Sequence, residues 1–223
     1  MQNLDYEINE IFCTIQGEAK FTGTPSIFIR FQGCPVGCPW CDTKHTWEYD
    51  GDIISQQQVE QKKKDSKDYG KYTVQDLTDF VKLQPPNHIV LTGGEPCIND
   101  LYPLTSKLIH HRYSVQIETS GTVPILAHNR TWITLSPKID MAGGFKVRQE
   151  AVNKANEIKF PIGKLKDITK LVNFLKEYKV KKSVKIWLQP LSQSKRATEL
   201  CIEQAFTNNW NISVQTHKYI NIR

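Results

Sequence analysis

The sequence predicts an α/β protein built on a parallel sheet, and three observations predict it. Short runs rich in β-branched and aromatic residues recur along the chain. Several gaps between them carry helical spacing. Polar residues stand where several runs end, at the carboxyl edge where α/β folds place ligands. The predicted strands are 26–31, 88–91, 115–118, 132–135, 157–160, 184–188 and 212–214. Leu77, Phe80 and Val81 make one apolar helical face, Leu171, Val172, Phe174 and Leu175 a second, and Leu200, Ile202, Ala205 and Phe206 a third. Asp167 is placed to cap the middle helix, with Lys176 and Lys179 near its negative end. The polar stretch 49–72 reads as an excursion from the core, partly helical or mobile, covering a site or simply decorating the surface.

A chain of 223 residues suits one domain, 1–223, carrying that insertion. At this size roughly 70% of the unfolded surface can be buried, so no disulfide staple is required. No apolar run is long enough to span a membrane, and the first residues lack the basic and apolar regions of a secretory signal. A cytoplasmic setting, with reduced thiols, is the expectation. The net charge is +6, but Lys62, Lys63 and Lys64 are followed by Asp65 and Asp68 with no aromatic platform, the look of a solvated surface, so nucleic-acid binding is not expected.

Cys34, Cys38 and Cys41 crowd into eight residues, in a Gly- and Pro-rich loop directly after the 26–31 strand. Such a loop stays out of regular structure and lets three thiolates converge on one object. Structural zinc normally closes with four ligands. Cys13, Cys97 and Cys201 are isolated, and His45 is the nearest candidate for a fourth. A cubane iron–sulfur cluster on three cysteines instead leaves one iron open to the amino and carboxylate groups of a small molecule. The spacing alone leaves both readings standing. Further on, Thr92-Gly93-Gly94-Glu95-Pro96 ends a predicted strand, where glycines admit close backbone approach and Glu95 offers a carboxylate to an ammonium group.

The cysteine loop and the Gly-Gly-Glu-Pro turn together resemble the radical S-adenosylmethionine superfamily. The resemblance implies a partial (β/α) barrel of about six parallel strands. It also implies a [4Fe–4S] cluster on Cys34, Cys38 and Cys41 that cleaves S-adenosylmethionine to a 5′-deoxyadenosyl radical. Trp40, Asp42, Gly94 and Glu95 then lie beside the cosubstrate.

Other residues speak to a substrate. In the 26–31 strand, Ile27, Ile29 and Phe31 face one side, and Phe28 and Arg30 the other. A guanidinium inside a parallel sheet needs an anion, either a substrate carboxylate or an internal partner such as Glu118. Thr43 offers a hydroxyl to a hard cation or to a helix N-terminus. Ser136-Pro137-Lys138, Gln189-Pro190 and Gln215-Thr216-His217-Lys218 end the later strands.

Taken with Thr14-Ile15-Gln16-Gly17-Glu18 and Ile117-Glu118-Thr119-Ser120-Gly121-Thr122, these stretches resemble the 7-carboxy-7-deazaguanine synthase family, enterobacterial type, nearly end to end and least over 49–72. The resemblance implies radical ring contraction of 6-carboxy-5,6,7,8-tetrahydropterin to 7-carboxy-7-deazaguanine and ammonia, on the route to queuosine. It puts Ile15, Gln16, Gly17, Arg30, Thr92, His217 and the terminal carboxylate of Arg223 at the pterin, and Thr43 on Mg2+. It puts Trp40, Cys41, Asp42, Gly94, Glu95, Ser136, Pro137, Lys138 and Gln189 at S-adenosylmethionine. A homodimer and a reductase such as flavodoxin are further implications. Ala19 stands where glycine is common in that family, which leaves the local loop shape open. Two rivals share part of the pattern: an activase that generates a glycyl radical in a partner protein, and a zinc-stabilised binding module without enzymatic activity.

Overall fold

The computed structural model describes residues 5–222. The strands are β1 (Asp5–Gln16), β2 (Thr24–Phe31), β3 (Gly70–Thr73), β4 (His88–Gly93), β5 (Ser114–Thr119), β6 (Trp132–Leu135), β7 (Glu157–Ile162), β8 (Lys185–Pro190) and β9 (Asn211–Ile212). The helices are α1 (Gln56–Glu60), α2 (Val74–Lys82), α3 (Tyr102–His110), α4 (Gln149–Lys154), α5 (Leu165–Glu177), α6 (Lys195–Asn208) and α7 (Thr216–Tyr219). Among the described residues they form one sheet in the order β3-β1-β2-β4-β5-β6-β7-β8-β9. From β2 to β9 every neighbouring pair is parallel, while β1 runs antiparallel to both β2 and β3. The parallel array therefore counts seven strands, the last only two residues long.

All seven predicted strands are present. β1 and β3 were not predicted. β1 escapes an alternation test because its register shifts between Ile8 and Glu10, and because Asn9 and Glu10 are buried polar residues.

The sheet curls. Gln16 of β1 hydrogen-bonds to Gln116 and Glu118 of β5, each at 3.2 Å, and Lys159 of β7 reaches Glu118 and Glu18. These strands are not sheet neighbours, so their side chains meet across an enclosed interior. The sheet stays open: its far ends are joined by a seam, not a ladder. There Ala19 N–H donates to Ser213 Oγ at 2.9 Å and Thr216 N–H donates to the Gly17 carbonyl at 3.0 Å. Below, Phe21 plugs the interior between His88 (4.2 Å) and Trp132 (5.4 Å).

Period-two alternation divides the two faces. Ile27, Ile29 and Phe31, then Ile89 and Leu91, Val115 and Ile117, and Ile158, Phe160 and Ile162 join the apolar core. Leu77, Val81, Leu104, Leu108, Val152, Leu171 and Phe174 pack there from the helices. Each fully buried Leu, Ile or Phe side chain contributes about 1.5–3 kcal/mol. The opposite face carries Arg30, Thr92, Gln116, Glu118, Glu157, Lys159 and Gln189, and it points inward. In α5 the N-cap is Lys164, not Asp167. Asp167 sits at the third helical position and accepts from the N–H groups of Gly163 (2.8 Å) and Lys164 (2.9 Å), so it stabilises that helix start from inside the first turn.

The 49–72 stretch is held down. Ser55 and Gln58 form a capping box on α1, β3 extends the sheet beyond β1, and Val59, Tyr69 and Tyr72 are buried. Lys62 does not project into solvent: its ammonium sits among Asn9 O and Oδ1, Ser66 O and Asp68 O at 2.7–3.1 Å. No helix among the described residues is long and apolar enough to cross a membrane.

Candidate active site

The carboxyl ends of the strands open into a cavity of about 440 Å³. Its walls are assembled from loops that follow successive strands. β1 supplies Ile15, Gln16, Gly17 and Glu18. β2 supplies Phe28 and Arg30, then Cys34, Cys38, Trp40, Cys41, Asp42 and Thr43 from its loop. β4 leads to Thr92, Gly93, Gly94 and Glu95, and β6 to Ser136 and Lys138. β8 brings Gln189, and the segment after β9 brings Gln215 and His217. Of the described residues that the resemblance places at the cluster, the cosubstrate or the pterin, all but Pro137 line these walls. Pro137 lines an adjoining cavity of about 190 Å³ shared with Trp40, and Arg223 lies outside the described residues.

The three cysteines converge as free thiols. Cys41 Sγ accepts from the Thr43 N–H and from Trp47 Nε1, both at 3.4 Å, the pattern that suits an electron-rich thiolate. Burial pushes the Cys34 thiol up to about 12 and raises Cys38 as well. Buried thiols without a metal hold their protons, and metal binding releases them. His45, the alternative zinc ligand, turns elsewhere: its nitrogens face Glu10 (3.7 Å) and Asp65 (3.9 Å). This donor set fits an iron–sulfur cluster on three cysteines better than a closed four-ligand zinc site.

The glycine turn lies flush against the cysteine loop. Gly93 has φ of +105°, and a Cβ there would lie 2.5 Å from Phe31 N. A Cβ on Gly94 would lie 2.1 Å from the Gly33 carbonyl oxygen. Glu95 is buried and fully engaged. It accepts from Thr119 Oγ1 (2.6 Å), Cys97 N–H (3.1 Å) and Ser120 N–H (2.8 Å), with the Ser120 hydroxyl as a fourth donor. It ties the loop after β5 to the glycine turn, beside the cysteines.

Arg30 has an internal partner, and it is Glu10, not Glu118: Nε lies 3.2 Å from Glu10 Oε2. The guanidinium also lies near the rings of Phe12 (5.4 Å) and Phe28 (6.0 Å), while the side chain still lines the cavity. Thr43 directly precedes a short 3-10 turn, Lys44–Thr46, yet its hydroxyl does not cap it. It donates instead to the Gly93 carbonyl at 3.1 Å. His217 packs on Gly17, where a Cβ would come within 2.2 Å of its Nδ1. Burial lowers its pKa, against the opposing pull of Glu18.

Three charged residues on the cavity were given no place at a ligand by the sequence: Glu18 and Glu118, which fall within quoted motifs, and Lys159, which was not singled out. Lys159 is buried between the two carboxylates, at 2.5 Å from Glu118 and in direct contact with Glu18. The signal available in the sequence was alternation: Lys159 is a charge flanked by Ile158 and Phe160 within a predicted strand, and Glu118 alternates with Val115 and Ile117 in another.

This curled, mostly parallel sheet with three thiols at its carboxyl edge defines a class, and similarity to known proteins agrees. A family model described as the Radical SAM superfamily matches residues 28–191, and the chain belongs to that superfamily. It is 50% identical over 222 residues to 7-carboxy-7-deazaguanine synthase of Escherichia coli (strain K12), covering 98% of this chain and 100% of that one. The enzyme of that name from Buchnera aphidicola subsp. Schizaphis graminum is 47% identical, with 98% and 99% covered. A crystal structure of QueE from Escherichia coli superposes with a TM-score of 0.91 at 48% identity, covering 95% of this chain and 94% of that one. Within the superfamily, the chain is a member of the 7-carboxy-7-deazaguanine synthase family.

Proposed function

We propose that this chain converts 6-carboxy-5,6,7,8-tetrahydropterin to 7-carboxy-7-deazaguanine and ammonia by radical ring contraction, a step toward queuosine. The observation that carries this reading is the single cavity that unites the cysteine loop with Arg30, Gln16 and His217.

Cys34, Cys38 and Cys41 would hold the [4Fe–4S] cluster. When bound, the cluster supplies the single electron that cleaves the sulfonium of S-adenosylmethionine. The chain's own residues position the partners. Trp40, Asp42, Gly94, Glu95, Ser136, Pro137, Lys138 and Gln189 line the cosubstrate side. Ile15, Gln16, Gly17, Thr92 and His217, with the carboxylate of Arg223, line the pterin. Arg30 pairs with the pterin carboxylate, its guanidinium aligned by Glu10 from behind. Thr43, whose hydroxyl donates to the Gly93 carbonyl, would offer its oxygen to Mg2+, a hard cation that prefers oxygen ligands. The phenyl plug of Phe21 between His88 and Trp132 bars water from below, which protects a radical from side reactions.

The protein acts as a homodimer, in the reducing cytoplasm, with flavodoxin or a similar reductase as electron source. The test is anaerobic incubation of reconstituted protein with S-adenosylmethionine, reductant, Mg2+ and the carboxytetrahydropterin, with mass analysis of the product. A purine of the mass of 7-carboxy-7-deazaguanine supports the reading. Cosubstrate cleavage with the pterin recovered intact refutes it.

A further inference from the structure

The positions assigned above leave one group of charges without a role. Lys159 on β7 is buried, and its ammonium joins two carboxylates that lie far apart in the sequence, Glu18 and Glu118. Glu18 follows β1, and Glu118 lies on β5. All three side chains line the cavity. Three strands distant in sequence thus spend buried charges on one point of the cavity wall, and burying charges is expensive unless geometry makes use of them.

The rest of each carboxylate is steered as well. Glu18 Oε1 accepts from Gln215 Nε2 at 2.7 Å and Gln189 Nε2 at 3.4 Å. Glu118 Oε1 accepts from Gln16 Nε2 at 3.2 Å and Gln116 Nε2 at 3.4 Å. Each carboxylate is therefore held from both oxygens, with Lys159 as the shared tether. The ionisable groups that face this cluster are Glu157 on the same strand, which acts on Glu118, and His217 from α7, which acts on Glu18. Lys159 is the central cation, so removing it leaves two carboxylates facing each other.

The trio carries a net charge of −1 and stands on a different wall from Arg30. A ligand that suits the whole cavity therefore has an anionic group at one end and adjacent N–H donors at the other. A cyclic amidine such as a 2-amino-4-oxopyrimidine ring offers such donors, N–H and amino side by side, and carboxylates bind them as they bind the fork of arginine. We propose that Lys159 is a positioning residue that fixes Glu18 and Glu118 as acceptors for the 2-amino-4-oxopyrimidine edge of the substrate. This rests on the pterin reading above and adds how the far end of that substrate is recognised.

The test uses anaerobically reconstituted holoenzyme and two probes, 6-carboxypterin and 6-carboxylumazine, which carries an oxo group in place of the 2-amino group. Binding is followed by ligand fluorescence across the neutral pH range. Wild type binds the pterin at least about tenfold more tightly than the lumazine, with little dependence on pH, because a site built to pair with a donor rejects the analogue lacking it. Lys159→Met loses that discrimination while keeping its iron. Its two carboxylates share a proton, so its residual pterin affinity rises with pH as that proton leaves. Lys159→Arg keeps the charge but moves it, and recovers only part of the preference. If Lys159→Met does not fold, Lys159→Arg carries the test by its reduced discrimination. Wild-type protein that binds neither probe overturns the pterin reading itself. Wild-type protein that prefers the pterin, alongside Lys159 variants with the same preference and flat pH dependence, overturns only the role given to Lys159.

Discussion

Arg30→Gln separates two tasks that the structure gives to one guanidinium. The side chain meets Glu10 at 3.2 Å, and Glu10 is 2% exposed while Arg30 is 21% exposed. Removing one partner of a buried pair typically costs about 3–5 kcal/mol, because the other charge stays buried. Arg30's partial exposure reduces this, so about 2–3 kcal/mol of stability should go. The substrate side is independent of that loss. Truncating a hydrogen-bonded charge partner costs about 2–5 kcal/mol of binding, roughly a thirtyfold to several-thousandfold weaker Kd. The double variant Arg30→Gln/Glu10→Gln tells the two apart. It removes both charges, so thermal stability should return most of the way to wild type, a coupling of about 1–3 kcal/mol in the cycle. Pterin affinity should stay low. Arg30→Lys should recover little affinity, since an ammonium cannot make the planar bidentate pair. Melting temperature, iron content and anaerobic pterin titration read all three. Pterin affinity that returns with stability in the double variant would refute the reasoning, since Arg30 would then act only through Glu10.

Cys34→Ala, Cys38→Ala and Cys41→Ala should each abolish the iron–sulfur absorbance, whereas Cys13→Ala, Cys97→Ala and Cys201→Ala should keep it; iron analysis after reconstitution decides. Ala19 has φ of +50°, a region that costs an L-residue about 1–2 kcal/mol, so Ala19→Gly should raise the melting temperature slightly after the greater unfolded-chain entropy of glycine is subtracted. His88 is buried between Ser114 Oγ (2.9 Å) and Gln116 Oε1 (3.0 Å), and burial holds its pKa below the usual histidine value. Below the unfolded histidine pKa of about 6.5 the unfolded chain binds the proton and the folded chain does not, so stability falls with falling pH by up to about 1.4 kcal/mol per unit. His88→Gln should lessen that acid slope in denaturant titrations by up to one proton, and an unchanged slope would contradict it.

Much of the fold was legible because parallel strands announce themselves by β-branched runs, and every predicted run from 26–31 to 212–214 overlaps a strand of the sheet, the last by Ile212 alone. β1 was not, because Asn9 and Glu10 are polar and buried at a register shift, with Asn9 hydrogen-bonded to Gln32 and Glu10 ion-paired with Arg30. Those partners lie twenty or more residues away, so nothing local marks the strand. The cysteine loop and the glycine turn were legible because their residues are contiguous. Glu18, Glu118 and Lys159 were not, because what unites them is the curl of the sheet. Lys62 shows the same limit from the other side. In sequence it belongs to a lysine run of solvated appearance, and in the fold it fastens the 49–72 stretch to Asn9.

The central claim is that one cavity holds cluster, cosubstrate and pterin close enough for direct hydrogen transfer. The most direct measurement supplies the carboxytetrahydropterin with deuterium at C6 and follows the label by mass spectrometry under anaerobic turnover. In the proposed reaction the deoxyadenosyl radical would take hydrogen from C6 and later return one to regenerate S-adenosylmethionine, so the account predicts the deazapurine product together with deuterium in the recovered S-adenosylmethionine. Deoxyadenosine released without label, with the pterin unchanged, would contradict it.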